Sequence, residues 1–339
     1  LIFLTAGTFV GVVGRSSAES VAYFMLSIIP ARFAVAVLFV VACFVSTAMG
    51  TSVGTITLLT PIAAAVSQTS GFSLALCVAS VMGGSMFGDN LSFISDTTIA
   101  ACNGQGCEMK DKFKANFLIV LPAAIVTIII FLIITRNGNY EITEELTYNL
   151  WQVLPYILVL VGALIGINVF VVLISGTVLS LIVGVATGTL AVSEMFSVIG
   201  DGVTGMYDIT VISIVVACIV SLVKEYGGIQ FILNLIKSKI SGRRGGELGI
   251  AGLSLLVDAC TANNTVAIVM AGPIAKEICE EFDIDPKRSA SLLDIFTSVG
   301  QGLIPYGAQL LSAATLTALT PFEIIPYLYY PILMAISAI

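Results

Sequence analysis

Histidine is absent from this chain of 339 residues. Imidazole acid–base catalysis, histidine-ligated metals and Ser-His-Asp triads are therefore excluded. No G-x-x-x-x-G-K-[ST] loop occurs either, so the chain has no P-loop with which to hydrolyse ATP. Charge is scarce. Asp, Glu, Lys and Arg make up 10% of the residues, against ~25% in soluble globular domains. No charged residue at all occurs from Phe33 to Gly88, from Leu146 to Ser193 or from Ile295 to Phe322. Each of these runs exceeds the ~20 apolar residues that cross a bilayer as a helix. What is abundant is apolar: 58% of the chain is hydrophobic. The expected fold class is an all-α polytopic membrane protein, with the lipid bilayer as its first partner. Net charge is −7 without a long basic tract, so no nucleic-acid partner is expected. The seven cysteines form no C-x-x-C pair and read as reduced, buried small hydrophobes, although Cys102 and Cys107 share one loop. Neither an enzymatic reaction nor a cofactor is expected. The chain opens inside an apolar run, Leu1-Ile-Phe-Leu, without Met or a charged leader, which predicts an N-terminally incomplete chain.

Apolar runs bounded by charged or turn-rich stretches give the elements. A helix is expected from Leu1 to Gly14, followed by a loop carrying Arg15, Glu19 and Arg32. Phe33 to Ser67 is interrupted by Met49-Gly-Thr-Ser-Val-Gly-Thr55, and Leu74 to Ala101 by Gly83 to Ser92. A charged loop, Glu108 to Lys114, precedes a plain span from Ala115 to Thr135, and residues 136–149 are polar. Spans then follow at Val153 to Val172, Ser175 to Ala191 and Ile209 to Val223, with Asp201 and Asp208 in an external loop. A basic connector, Lys224 to Arg244, leads to Gly249–Ile278, interrupted from Asp258 to Thr265. Ser289 to Thr317 is interrupted by Gly300-Gln-Gly-Leu-Ile-Pro-Tyr-Gly307, and Ile324 to Ile339 closes the chain. Two interrupted runs in succession, twice, suggest duplication. A shift of 212 places sets Arg32 on Arg244 and Pro61-Ile-Ala63 on Pro273-Ile-Ala275, and it superposes the interruptions. Paired interrupted segments in two halves point to a transporter of inverted repeats, here residues 1–149 and 150–339. Each repeat is expected to contain a re-entrant hairpin and a broken transmembrane helix. With both hairpins re-entrant, Arg15, Arg32 and Arg136 fall on one side. The other eleven of 14 basic residues, including Lys110, Lys112, Lys114, Lys237, Lys239, Arg243, Arg244, Lys287 and Arg288, lie opposite. The positive-inside rule makes that second side cytoplasmic.

Non-helical backbone at membrane depth is tolerated only when buried in protein or lining a wet cavity. The breaks also hold most of the intramembrane acids. Asp89 and Asp96 flank Asn90, Ser92 and Ser95 and are followed by Thr97 and Thr98. Carboxylate, hydroxyl, amide and main-chain oxygens are the ligands hard cations prefer. An unpaired ionised Asp at the bilayer centre is costly, by about 2.5–3.5 kcal/mol on insertion scales, so such a group binds a cation or takes up a proton. Asp96 has a second reading as the cap of a half-helix. Asp258 precedes Asn263, Asn264 and Thr265 at the second hairpin tip, where the amides either ligate an ion or satisfy broken backbone. Thr51 and Ser52 hold the matching tip in the first half, and Gln301 faces this region from the fourth break. The expected ion- or proton-coupling acids are Asp89, Asp96, Asp258 and Asp294, with Na+ at the first three. Asp294 also reads as a solvated helix end near the cytoplasmic entry. No Lys or Arg lies within the breaks, so no fixed positive charge is expected beside the acids. Trp151 and Tyr148 read as interfacial anchors, and Glu277, Glu280, Glu281, Asp283 and Asp285 as a solvated face.

The segment Gly84-Ser-Met-Phe-Gly-Asp-Asn-Leu-Ser-Phe-Ile-Ser-Asp-Thr-Thr98 resembles the G-D-x-x-S-x-x-S-D-T-T signature of the NhaC-type sodium/proton antiporters, part of a larger ion-transporter superfamily. Gly88, Asp89, Ser92, Ser95, Asp96, Thr97 and Thr98 match it. Asn90 and Phe93 stand where Lys and Pro are expected, which removes a basic neighbour of Asp89. The resemblance implies inverted repeats with re-entrant hairpins, exchange of Na+ for H+, and a multi-pass protein of the bacterial inner membrane. It also admits the alternative of a Na+-coupled carrier or exchanger of small carboxylates such as malate or lactate. A homodimer is left open.

Overall fold

The computed structural model describes residues 2–93, 95–136, 147–165, 167–228, 231 and 242–339, and among these the regular structure is helical, without a strand. The first helix, α1 (Ile2–Ile28), does not stop at Gly14. The segment read as a loop around Arg15 and Glu19 continues it, because small side chains, Ala18 and Ala22, keep its inner face packable. Ser20 on that face donates to the Gln152 amide oxygen at 2.8 Å. Pro30 then breaks the chain, and the segments Ser17–Ile28 and Ala31–Thr47 meet at 109°.

Next come α2 (Ala34–Met49), α3 (Ser52–Ser70), α4 (Leu74–Leu91), α5 (Asp96–Gln105) and α6 (Met109–Ile134). The charged Glu108–Lys114 stretch is thus largely the first turns of α6, not a loop. The breaks are also narrower than the polar runs that announced them. Only Gly50 and Thr51 separate α2 from α3, and 92–95 separate α4 from α5. Gly83, Gly84 and Gly88 sit inside α4, where they serve close packing. A Cβ on Gly84 would collide with the Phe39 carbonyl, and one on Gly88 would lie 2.5 Å from the Cys43 carbonyl. This small-residue G-x-x-x-G face lets α4 lie directly on α2.

The middle of the chain supplies α7 (Leu150–Leu164), α8 (Val169–Ala186), α9 (Met195–Gly205) and α10 (Tyr207–Glu225). The turn between α7 and α8 falls at 165–168 rather than near 173, because Asn168 caps α8 by accepting from Phe170 N at 2.9 Å. Asp201, expected in a loop, is an exposed residue of α9. Most of the expected basic connector, including Lys237 and Lys239, lies outside the described residues.

Then α11 (Gly242–Thr261), α12 (Asn264–Phe282), α13 (Pro286–Leu303), α14 (Ala308–Thr317), the short α15 (Pro321–Ile324) and α16 (Tyr329–Ala338) complete the chain. Their bounds repeat those of the first half. Helices α3, α4 and α5 begin and end 212 positions before α12, α13 and α14. The caps follow suit. Gly50, Gly71 and Gly106 are left-handed at φ 65°, 74° and 74°, and their counterparts are Ala262, Asp283 and Ala318 at 48°, 50° and 57°.

Among the described residues two segments, Leu74–Gln105 and Met109–Ile134, are long and apolar enough to cross a bilayer. Helix pairs bent at a break add Ser17–Ile28 with Ala31–Thr47 and Pro286–Thr317 with Pro321–Tyr327, the latter at 97°. The apolar stretch of the first segment is 89% buried inside the protein and that of the second 33%. The α4–α5 unit is therefore central, and α6 is peripheral. On α6 the exposed face carries Leu118, Ile125, Ile129 and Ile133, an apolar stripe of helical period.

Candidate functional site

The breaks gather the polar interior. Asp89 lies on the last turn of α4 and is 5% exposed. Its Oδ2 accepts from the Ser52 hydroxyl at 2.9 Å and its Oδ1 from the Ser95 hydroxyl at 2.6 Å. Ser52 opens α3 just past the Gly50–Thr51 break, and Ser95 ends the α4–α5 break, so two breaks converge on one carboxylate. Ser95 also pairs with Thr97 at 2.8 Å. From the other half, Gln309 Nε2 donates to Ser52 Oγ at 2.9 Å. The result is a buried oxygen cluster of Asp89, Ser52, Ser95 and Thr97, with Ser92 buried at the intervening turn.

A second buried carboxylate, Asp258, lies on α11 one turn before the second tip. It is fully buried, and neither of its oxygens has a hydrogen-bond partner among the described residues. Glycine at 300 makes room for it, since a Cβ there would lie 2.6 Å from Asp258 Oδ2. Around it, Gln301 Nε2 donates to the Ala262 carbonyl at 3.2 Å and Tyr306 donates to the Ala259 carbonyl at 2.7 Å. The Gln301 and Gln309 amide oxygens are buried without partners among the described residues. This side of the molecule presents acceptor oxygens in excess of donors.

Other expected ligands have different duties. The tip oxygens are spent on backbone: Thr51 accepts from Gly54 N at 3.3 Å and Asn263 from Val266 N at 3.0 Å, capping α3 and α12. Asn264 accepts from Thr265 N at 3.0 Å, and Asn263 is exposed. Asp96 is exposed in the first turn of α5, apart from the buried cluster, where its negative charge suits the helix N-terminus. Thr57 and Thr60, which read from the sequence as bonding back to their own helix, do so at 2.8 and 2.6 Å.

Asp294 corrects the expectation of a solvated helix end. It is 1% exposed and forms an ion pair with Lys112, itself 1% exposed. No fixed cation is expected beside the breaks, and that expectation fails, because Lys112 is buried there. Its ammonium also donates to the Asn90 carbonyl at 3.0 Å and the Thr98 hydroxyl at 2.7 Å. Asn116 Nδ2 donates to the Asn90 carbonyl at 3.0 Å and to Asp294 at 2.9 Å. Asn90 Nδ2 in turn reaches Ser298 at 3.1 Å. An ammonium is thus brought from α6 to the main-chain carbonyl of residue 90. A signal for this was present: Lys112, Asn116, Val120, Ala123, Thr127 and Phe131 continue one helical face.

Among the described residues no three Cys, Asp or Glu side chains come together as a metal-binding group. The Asp89 donor set, one carboxylate with hydroxyls, suits a hard cation with few charged ligands.

A family model described as the Na+/H+ antiporter family matches residues 1–135 and 141–339. The chain is 22% identical over 368 aligned residues to the malate-2H+/Na+-lactate antiporter of Bacillus subtilis, covering 97% of this chain and 77% of that protein. It is 23% identical over 347 aligned residues to the Na+/H+ antiporter NhaC of Alkalihalophilus pseudofirmus, covering 93% and 74%.

Proposed function

The chain belongs to the Na+/H+ antiporter family, and on that premise we propose that it is an integral membrane antiporter exchanging Na+ for H+, with Asp89 as the carboxylate at which the two compete. The observation that carries this reading is the convergence of two breaks on Asp89. Ser52 and Ser95 each donate to one of its oxygens, and each hydroxyl, accepting one further bond, keeps one lone pair for a cation. A carboxylate in this buried cluster is neutralised by Na+ or by H+ and not by both at once, which is the condition for obligatory exchange. Asp258, buried without a donor among the described residues, is the second cargo-carrying acid. Asp294 is already compensated by Lys112, and Asp96 stands outside.

The recurrence of helix bounds and caps supports reading residues 1–149 and 150–339 as two repeats. We place them in opposite orientations, each with a re-entrant hairpin whose tip is at Gly50–Thr51 or Ala262–Asn263. The relatives are bacterial, which supports an inner-membrane location. A second reading, exchange of small carboxylates coupled to Na+, draws on the Bacillus subtilis relative. The saturated Lys112 weighs against it, since its three N–H bonds are already engaged and offer no free charge to an anionic substrate.

Everted vesicles holding a proton gradient test the reading. Addition of Na+ should dissipate the gradient, and Asp89→Asn should reduce the response to vesicle background. Half-saturating Na+ should rise as pH falls, approaching roughly tenfold per unit once the proton-bound form dominates, as one-for-one competition requires. A response to malate or lactate in place of Na+ alone would favour the second reading.

A further inference from the structure

The exchange scheme above leaves the Lys112–Asp294 pair without a task. Each of the three Lys112 N–H bonds meets an oxygen of a different element: the Asn90 carbonyl at the end of α4, the Thr98 hydroxyl in the first turn of α5 and the Asp294 carboxylate within α13. A free carbonyl at a helix C-terminal end, a hydroxyl and a carboxylate are the oxygens from which transporters build alkali-cation sites. Asn116, one turn along α6, closes the cage by donating to both the carbonyl and the carboxylate. The arrangement is not demanded by the helix–break–helix architecture. At the 212-residue spacing Lys112, Asn90, Thr98 and Asn116 fall on Ile324, Gly302, Leu310 and Leu328, so the second half has no counterpart. Breaking a buried pair by removing one charge leaves the other uncompensated, which is strongly unfavourable.

We propose that Lys112 is a tethered cation. Its ammonium occupies a monovalent-cation site between the two halves, cancels the charge of Asp294, and holds that acid out of the exchange cycle. Cargo is then carried at Asp89 and Asp258 alone, and the chain sets its ion stoichiometry by supplying one cation of its own. The transport arm of the test rests on the exchange reading; the binding arm does not.

The experiment uses the full chain purified in detergent, with radiolabelled Na+ as the probe. Three proteins are compared: the parent, Lys112→Met and Lys112→Met/Asp294→Asn. Lys112→Met should bind one Na+ more per chain than the parent, and the double variant should return to the parent count. Reconstituted into vesicles, the double variant should keep the parent Na+:H+ ratio, read from the imposed gradients at which flux reverses. An unchanged Na+ count in a monodisperse Lys112→Met protein overturns the proposal. So does a double variant that binds Na+ like the parent yet no longer moves protons, since Lys112 would then be the proton carrier. Should Lys112→Met fail to fold, the double variant decides by the same ratio, retention supporting and loss of proton coupling overturning. A parent that binds Na+ but moves no protons would sink the exchange reading and leave the binding comparison intact.

Discussion

At the scale of single residues, the interior separates oxygens that hold charge from oxygens that hold backbone. Ser52 and Ser95 donate to Asp89, whereas Thr51 and Asn263 accept from main-chain N–H groups at helix starts. The two classes predict different phenotypes. A hydrogen bond to a charged group contributes about 1.5–3 kcal/mol, so Ser52→Ala or Ser95→Ala should raise half-saturating Na+ roughly ten- to hundredfold. Asn263→Ala should cost about 1 kcal/mol of stability and leave that constant near the parent value. Na+ titrations of flux beside thermal melts in detergent distinguish the two. The burial of Asp89 and Asp258 was legible in the sequence, because each lies in or beside a long apolar run, whereas Asp96 is exposed. The burial of Lys112 was not legible. Its neighbours Lys110, Asp111 and Lys114 make the stretch look solvated, and only the helical register of Asn116, Val120 and Thr127 places it on the buried face.

Among elements, the caps tell which half fits its backbone better. Gly50, Gly71 and Gly106 hold left-handed positions that alanine and aspartate hold in the second half, at Ala262, Asp283 and Ala318. A side chain in that region costs roughly 1–2 kcal/mol, partly offset because glycine loses more entropy on folding. Ala318 is exposed at the end of α14, far along that helix from Gln309 and the break. Ala318→Gly should therefore stabilise the protein by about 0.5–1 kcal/mol, seen as a higher melting temperature with unchanged flux. The breaks at Gly50–Thr51 and Ala262–Asn263 were readable because left-handed Gly50 and the N-caps Thr51 and Asn263 are local signals. The α4 break was read too wide for a physical reason. Glycine marks both chain breaks and close helix contacts, and only tertiary structure tells Gly84 against Phe39 from a turn. The turn between α7 and α8 was misplaced because Ser175-Gly176 looks like a break, while the cap that sets the turn is Asn168.

For the whole molecule, the proposal of opposed halves makes a prediction about sidedness. In a protein whose seven cysteines have been replaced, single cysteines at 51 and 263 should react with a membrane-impermeant thiol reagent from opposite faces of the membrane. Labelling of both from one face would refute the inversion. Gln309 to Ser52 to Asp89 is a continuous path from α14 in one half to the acid in the other. On the proposed exchange reading, loading or emptying that acid would therefore pull on the Ser52–Gln309 contact between α3 and α14. Vacancy and motion would then be joined by one shared hydroxyl, and a passage open to both sides at once would first have to part it.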